Sequence, residues 1–295
     1  MSAPLQLTLG LDLRPQTTGA VQYALWLCRA AELQPAGHVE SVHVIDPAAM
    51  VELIRHADEP TILGAFQQRG KEVLHEVAHG ANFHRPDIFA GDAVEILERE
   101  ARERKAAALV ISRRASTEQR MVFSRLGSVA RRLLRRLAQP VIVAPPNLLA
   151  SEVGGGPILV AVDFEEGSQR ALAWALNLAE AIDRPIELVH LAAMPDQVAY
   201  VGLVQGERWG EMEEEILARG RERMDAFVRA HAPRPVESTV LRGPVLPNLG
   251  DYAAKREACL LVTGSGHHGL LHRVILPSVA SETAAMATTA VAVVP

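Results

Sequence analysis

Aromatic residues are scarce: 3 Trp, 3 Tyr and 6 Phe make up 4% of the 295 residues. A base-stacking surface for single-stranded nucleic acid needs several exposed rings, so that class is excluded and any core must be built from Leu, Val, Ile and Ala. Cysteine is scarcer still. Cys28 and Cys259 fall on non-equivalent segments, which argues against a disulfide framework. No apolar run reaches membrane-spanning length, and no basic stretch leads into an apolar signal core near the N-terminus. The expected setting is a reducing cytoplasm without membrane contact. Nor does one sign of charge dominate: 30 Lys and Arg stand against 35 Asp and Glu, a formal −5. That charge divides into +2 for residues 1–150 and −7 for residues 151–295, and neither value calls for a nucleic-acid partner.

What the chain does contain is a repeat with a domain-sized period of about 150 residues. Leu7-Thr8-Leu9-Gly10-Leu11-Asp12 opens the first copy and Ile158-Leu159-Val160-Ala161-Val162-Asp163 the second. Thr17 and Ser168 lie at the same distance from their Asp, and Tyr23, Leu25 and Leu27 fall in register with Trp174, Leu176 and Leu178. Val42-His43-Val44 corresponds to Val189-His190-Leu191, and Gly127-Ser128-Val129-Ala130 to Pro277-Ser278-Val279-Ala280. Val141-Ile142-Val143-Ala144-Pro145 corresponds to Val291-Ala292-Val293-Val294-Pro295. Agreement of these registers in the same order identifies a tandem of one domain type: residues 1–146, a joint at 147–157 and residues 158–295.

Within each half the apolar periodicity alternates between strand and helix. Strands are expected near residues 6–11, 39–45, 86–90, 108–112 and 140–144, and in the second half at 158–162, 186–191, 237–241, 259–263 and 290–294. Ser168 is expected to cap a helix with Leu172, Ala175, Leu176, Ala179 and Ile182 on its inner face. A long helix over about 207–230 carries Trp209, Met212, Ile216, Met224 and Phe227 inward. Strands without polar alternation, separated by helices, indicate α/β domains with parallel sheets covered on both faces. Pro145-Pro146-Asn147 and Gly154-Gly155-Gly156-Pro157 predict a flexible joint between the halves.

The run from Ile158 to Asp163, with Ser168, Ala171, Leu172, Trp174 and Ala175 behind it, resembles the opening of a universal stress protein domain. The Val-His pairs, Gly127-Ser128-Val129 and Pro140-Val141-Ile142-Val143 are similar to that family too. The resemblance covers nearly the whole chain as two copies. It implies two tandem Rossmann-like domains, each a five-stranded parallel sheet of order 3-2-1-4-5. It further implies pairing of the two halves through their last strands, with a homodimer as a further possibility. ATP with Mg is the cofactor that the resemblance raises.

Nucleotide-binding members of that family carry a Gly after the fourth strand, a second three residues on, and a third, followed by Ser or Thr, ten residues later. Glycine lets consecutive N–H groups face phosphate oxygens, and the final Gly-Ser sets a hydroxyl beside a helix N-terminus. The Asp ending the first strand is, by resemblance, near the adenine edge. The second half has Asp163, Gly264 and Ser278 at the matching positions, with Ser265 and Val279 beside them as further candidates, but His267 replaces the second glycine, with Gly266 one place early, and Pro277, which has no N–H, the third. The first half keeps Asp12, Gly127 and Ser128, yet its loop from Ser112 to Arg120 holds no glycine. Arg113 and Arg114 are there as cationic candidates for phosphate. The other reading of that half is a degenerate site.

The remaining motifs resolve to simpler readings. Gly264-Ser265-Gly266-His267-His268-Gly269 matches G-x-G-x-x-G, but that fingerprint belongs after the first strand and runs directly into a helix, whereas Pro277 interrupts here. His267, His268 and His272 have no Cys, Asp or Glu among them to complete a metal shell, so no metal is assigned. His43 and His190 read as satisfied core histidines. Arg131, Arg132, Arg135 and Arg136 form a basic stripe read as a solvated helix face, with RNA or an acidic partner as the alternative. No G-x-S-x-G elbow or Ser-His-Asp set is present, so no catalytic residue is assigned. Two functions are expected: a non-enzymatic stress-response protein binding nucleotide in its second half, or a tandem interaction module that has lost the nucleotide.

Overall fold

A computed structural model describes residues 5–14, 17–114, 126–194, 207–265 and 279–295. In the first half β1 (Leu7–Gly10), β2 (Val39–Ile45), β3 (Asp87–Ala90), β4 (Ala108–Ser112) and β5 (Val141–Ala144) alternate with α1 (Thr17–Ala30), α2 (Pro47–Leu53), α3 (Glu59–Val77), α4 (Ala93–Glu103) and α5 (Gly127–Arg136). The second half supplies β6 (Ile158–Ala161), α6 (Glu166–Ile182), β7 (Ile186–Ala192), α7 (Glu207–His231) and β8 (Glu237–Arg242). It continues with α8 (Val245–Lys255), β9 (Leu260–Gly264), α9 (Val279–Met286) and β10 (Val291–Val294).

The strands form one sheet of ten in the order β3-β2-β1-β4-β5-β10-β9-β6-β7-β8. Each half has the order 3-2-1-4-5 and is parallel throughout, and the two five-stranded sheets are joined through their last strands, as the resemblance implies. β5 and β10 pair antiparallel, with Ile142 opposite Ala292. The physical reason is in their composition: all four residues of each strand are buried, so neither is suited to be an exposed edge, and pairing removes both edges at once. Antiparallel pairing also sends the strand carboxyl ends of the two halves toward opposite ends of the sheet. The two sites therefore do not share a cleft.

Two apolar layers cover the sheet, and both cross the seam. One joins Tyr23, Leu27 and Leu74 to Leu172, Leu178 and Phe227 through Ile142 and Ala292; the other joins Leu97 and Leu133 to Leu249 and Ala284 through Val143 and Val291.

The glycine-rich joint is seated, not loose. Gly156 N–H donates to the Glu257 carbonyl at 2.8 Å, and Ala150 N–H to Gln22 Oε1 at 3.0 Å. A Cβ on Gly154 or Gly156 would lie 2.0 or 2.2 Å from the Glu257 or Arg256 carbonyl oxygen. Glycine serves close backbone approach there rather than freedom. Ser168 also departs from expectation. The helix begins at Glu166 with Glu165 as its N-cap, which places Ser168 inside the first turn.

Candidate functional site

In a sheet of order 3-2-1-4-5 the crevice lies where the order reverses, beyond the carboxyl ends of the first and fourth strands. In the second half that is the junction of β6 and β9, where Ala161 is in register with Thr263. Asp163 stands just past β6. Its Oδ1 accepts from the Ser168 hydroxyl at 2.5 Å and from Glu165 N–H at 3.0 Å, while its own N–H donates to Ser168 Oγ at 2.9 Å. Ser168, itself buried, thus holds an exposed carboxylate in one orientation.

On the facing strand end, Ser265 N–H donates to the Val294 carbonyl at 2.8 Å, which fixes the turn leaving β9. Gly264 is there for contact. A Cβ on it would lie 2.3 Å from the carbonyl carbon of Gly167, and one on Gly167 would lie 2.7 Å from the Ser265 carbonyl oxygen. The first turn of α6 thus rests backbone to backbone on the end of β9, and brings Asp163 beside Gly264 and Ser265. Ser265 Oγ is enclosed and has no hydrogen-bond partner among the described residues.

Behind Asp163 lies a group that sequence reading missed. Phe164 takes φ of 69°, in the left-handed region, and turns its ring to the His190 ring at 4.4 Å. The Arg223 guanidinium of α7 covers it at 4.3 Å, within cation–π range. Phe164 adjoins Asp163 in sequence, which was the one available signal; nothing local marks Arg223. His190 Nδ1–H donates to the Val162 carbonyl at 2.7 Å, so the ring is satisfied yet only half-buried.

The first half builds the same frame with different chemistry. Asp12 sits 3.8 Å from Arg14 Nε, and His43 Nδ1–H donates to the Leu11 carbonyl at 2.8 Å. Arg113 occupies the position of Ser265, with its N–H on the Ala144 carbonyl at 3.0 Å. Its guanidinium crosses the seam and donates to the Ala285 carbonyl in the last turn of α9. Arg114 is exposed, close to Gly127, which opens α5 with φ of 72°; Ser128 follows, exposed. In α9, Val279 is 47% exposed. Gly266, His267, His268, His272, Pro277 and Ser278 lie outside the described residues, as does Arg120.

The sequence pattern of the universal stress protein family matches residues 6–145 and again residues 156–295. The chain belongs to the universal stress protein family. A universal stress protein of Mycolicibacterium smegmatis is 26% identical over 304 residues, covering 97% of this chain and 95% of the relative. The crystal structure of a universal stress protein from Archaeoglobus fulgidus superposes with a TM-score of 0.63 at 20% identity, covering 98% of this chain and 97% of that one. That of a putative universal stress protein from Pseudomonas aeruginosa gives 0.59 at 16%, covering 98% and 93%. At these identities the two structures speak for the fold alone.

In this universal stress protein the basic stripe is largely consumed within its own domain. Arg132 Nη2 binds Asp92 Oδ2 at 2.7 Å, and Arg136 Nε binds the buried Glu98 at 3.2 Å. The Arg132 hydrogen bond is the leading cause that holds the Asp92 carboxyl below its usual range. Arg131 turns back to the Gly127 carbonyl at 3.3 Å. The stripe staples α5 to α4 and is not simply a solvated face. Among the described residues no helix is long and apolar enough to cross a membrane.

Proposed function

We propose that this universal stress protein is a non-enzymatic, cytoplasmic stress-response protein that binds ATP or a related nucleotide in its second domain. The observation that supports the reading most directly is Ser265 Oγ, an enclosed hydroxyl without a partner among the described residues, next to Gly264 and across from the oriented Asp163. An unpaired buried hydroxyl costs free energy that a ligand oxygen would recover. In this reading Asp163 accepts from the base or ribose, and the Ser265 hydroxyl donates to phosphate. Gly266, Ser278 and Val279 complete the phosphate side. Mg would accompany the phosphates as their counterion.

The first domain has a different part in this reading. Arg113 spends its guanidinium on Ala285 of the other domain, so the element that would hold phosphate charge works instead as a tie across the seam. Asp12, Arg114, Gly127 and Ser128 remain as a degenerate copy.

The test is to purify the full chain, denature it, look for released nucleotide, and then titrate ATP by calorimetry with and without Mg. Expected are one site per chain and loss of the heat in Ser265→Ala and in Asp163→Ala. Absence of both released nucleotide and heat would overturn the reading and leave a tandem interaction module. Pro277→Gly, which restores a backbone donor, is expected to tighten binding.

A further inference from the structure

The two domains are internal controls for one another, and they differ sharply at the outer edge of the sheet. His43 is paired with Ile88 and the equivalent His190 with Val240, so Phe89 of β3 corresponds to Leu241 of β8. Arg104 and Arg256 are the C-caps of α4 and α8, so Ile96, Arg99 and Glu103 correspond to Asn248, Asp251 and Lys255. In the first domain the space between helix and edge strand is filled: the Arg99 guanidinium lies 5.3 Å from the Phe89 ring, and Ile96 is buried. In the second domain smaller or shorter residues stand at these places, and a groove of about 280 Å³ opens between Leu241, Arg242, Asn248, Asp251, Tyr252 and Lys255.

The four helical residues fall at i, i+3, i+4 and i+7 and so form one face. Tyr252 is a fixed wall, because its hydroxyl donates to the buried Glu187 at 2.5 Å. Charge differs too: Lys255 stands where the first domain has Glu103 and Arg242 where it has the neutral Ala90, while Asp251 replaces Arg99 on the same helical face. Arg242 is 71% exposed and reaches Glu213 only at 3.5 Å; Lys255 is exposed and has no ion pair among the described residues. Alongside runs the outer edge of β8, which pairs only with β7 among the described residues and is six residues long, with none buried and without proline or a charge in its interior. Such an edge offers unpaired main-chain donors and acceptors. The opposite edge, β3, has four residues.

We propose that β8 and this groove are a docking site for an extended peptide. The peptide adds a strand to β8, seats an apolar side chain between Leu241 and Tyr252, and brings a carboxylate to Arg242 and Lys255. The pairing of an open strand edge with a side-chain groove is the geometry of strand addition, in which main-chain bonds give affinity and the pocket gives selectivity. In the first domain Arg99, Phe89 and Ile96 occupy the corresponding space.

The probe is a phage-displayed random peptide library panned on the full chain. Enriched peptides are expected to place an apolar residue next to Asp or Glu, and labelled synthetic copies are then measured by fluorescence anisotropy. The double variant Leu241→Phe, Asp251→Arg transplants the first domain's filling and is expected to weaken binding about tenfold or more with an unchanged melting temperature. Arg242→Glu with Lys255→Glu is expected to weaken binding of acidic peptides and to reverse the preference toward basic ones. N-methylation at alternate peptide nitrogens is expected to abolish it. No enrichment, binding undiminished in the filled variant, or indifference to N-methylation would each overturn the proposal. So would a dimer in sedimentation that the filled variant abolishes, since β8 would then serve a second copy of the chain.

Discussion

The Tyr23 hydroxyl, on the helix that opens the first domain, donates at 3.1 Å to the carbonyl of Cys259, one residue before β9 of the second domain. Trp174, its counterpart in the repeat, donates Nε1–H at 2.9 Å to the carbonyl of Ala107, one residue before β4. Each opening helix thus reaches across the seam and bonds the amino end of the other domain's fourth strand. Burial, the leading cause, raises the Tyr23 phenol well above its ordinary value, so it remains a donor at any working pH.

Tyr23→Phe leaves a buried carbonyl unpaired and is expected to cost about 1–3 kcal/mol in urea unfolding. Trp174→Phe loses the bond and ring volume and is expected to cost a similar amount. In the double variant the two domains are expected to unfold in separate steps, seen as two calorimetric peaks; a single unshifted transition would show that the staples do not couple them.

Gly19 meets the chain just past β5, the last strand of its own domain, at backbone distance. A Cβ on it would lie 1.7 Å from the Pro145 carbonyl oxygen, and its N–H donates to the Pro146 carbonyl at 3.0 Å. Backbone cannot give way as a side-chain tip can. Gly19→Ala is expected to lose about 3 kcal/mol or more, or to fail to fold. Gly264→Ala, facing Gly167 backbone at 2.3 Å, is expected to behave alike. Gly155→Ala, with open space around it, is the control, expected within about 0.5 kcal/mol of the parent. Soluble yield and thermal melting check all three.

Glu187 is 2% exposed in the core-facing pleat of β7, yet it accepts from Tyr252, from Thr239 at 3.0 Å and from Arg256 Nε at 2.7 Å. The Glu187 bond is the leading cause that raises the Arg256 guanidinium, while burial leads in raising the Tyr252 phenol. Glu187→Gln sets an amide donor against a donor and is expected to cost about 2 kcal/mol with little salt dependence. A loss that vanished in high salt would mark the interaction as a surface ion pair instead.

His43 and His190 each donate Nδ1–H to a carbonyl, which only accepts, so the neutral ring is already satisfied. Desolvation leads in lowering both below the ordinary 6.5. For His190 the Val162 carbonyl then raises, Arg223 lowers and Asp163 raises it; for His43 the Leu11 carbonyl and Asp12 raise it. Between the folded and unfolded values the unfolded chain binds more protons. The contribution is therefore complete above about pH 6.5 and is lost as pH falls through that value toward the folded pKa. Urea unfolding at about pH 5.5 is expected to show less stability than at about pH 7.5. The pair His43→Asn, His190→Asn is expected to flatten that difference.

The doubled strand-helix rhythm was legible because each parallel strand is buried on both faces and reads as an uninterrupted apolar run. Asp163 and Gly264 were legible as positions, but their neighbours were not. Ser168 reads as a cap by local pattern, while its hydroxyl reaches back to Asp163. The basic stripe on α5 reads as solvated because its partners, Asp92 and Glu98, sit on another helix.

The sequence by itself determined that there are two copies of one α/β domain and which residues end their strands, since burial periodicity and turn chemistry are local properties of the chain. Only the tertiary structure decided that Arg113 ties one copy to the other, and that Arg99 covers Phe89 beside β3 while a groove opens beside β8. Those outcomes depend on which side chain faces which across elements far apart in sequence, and a difference of size or charge there, Phe89 against Leu241 or Arg99 against Asp251, has no signature until both strands and helices are in place.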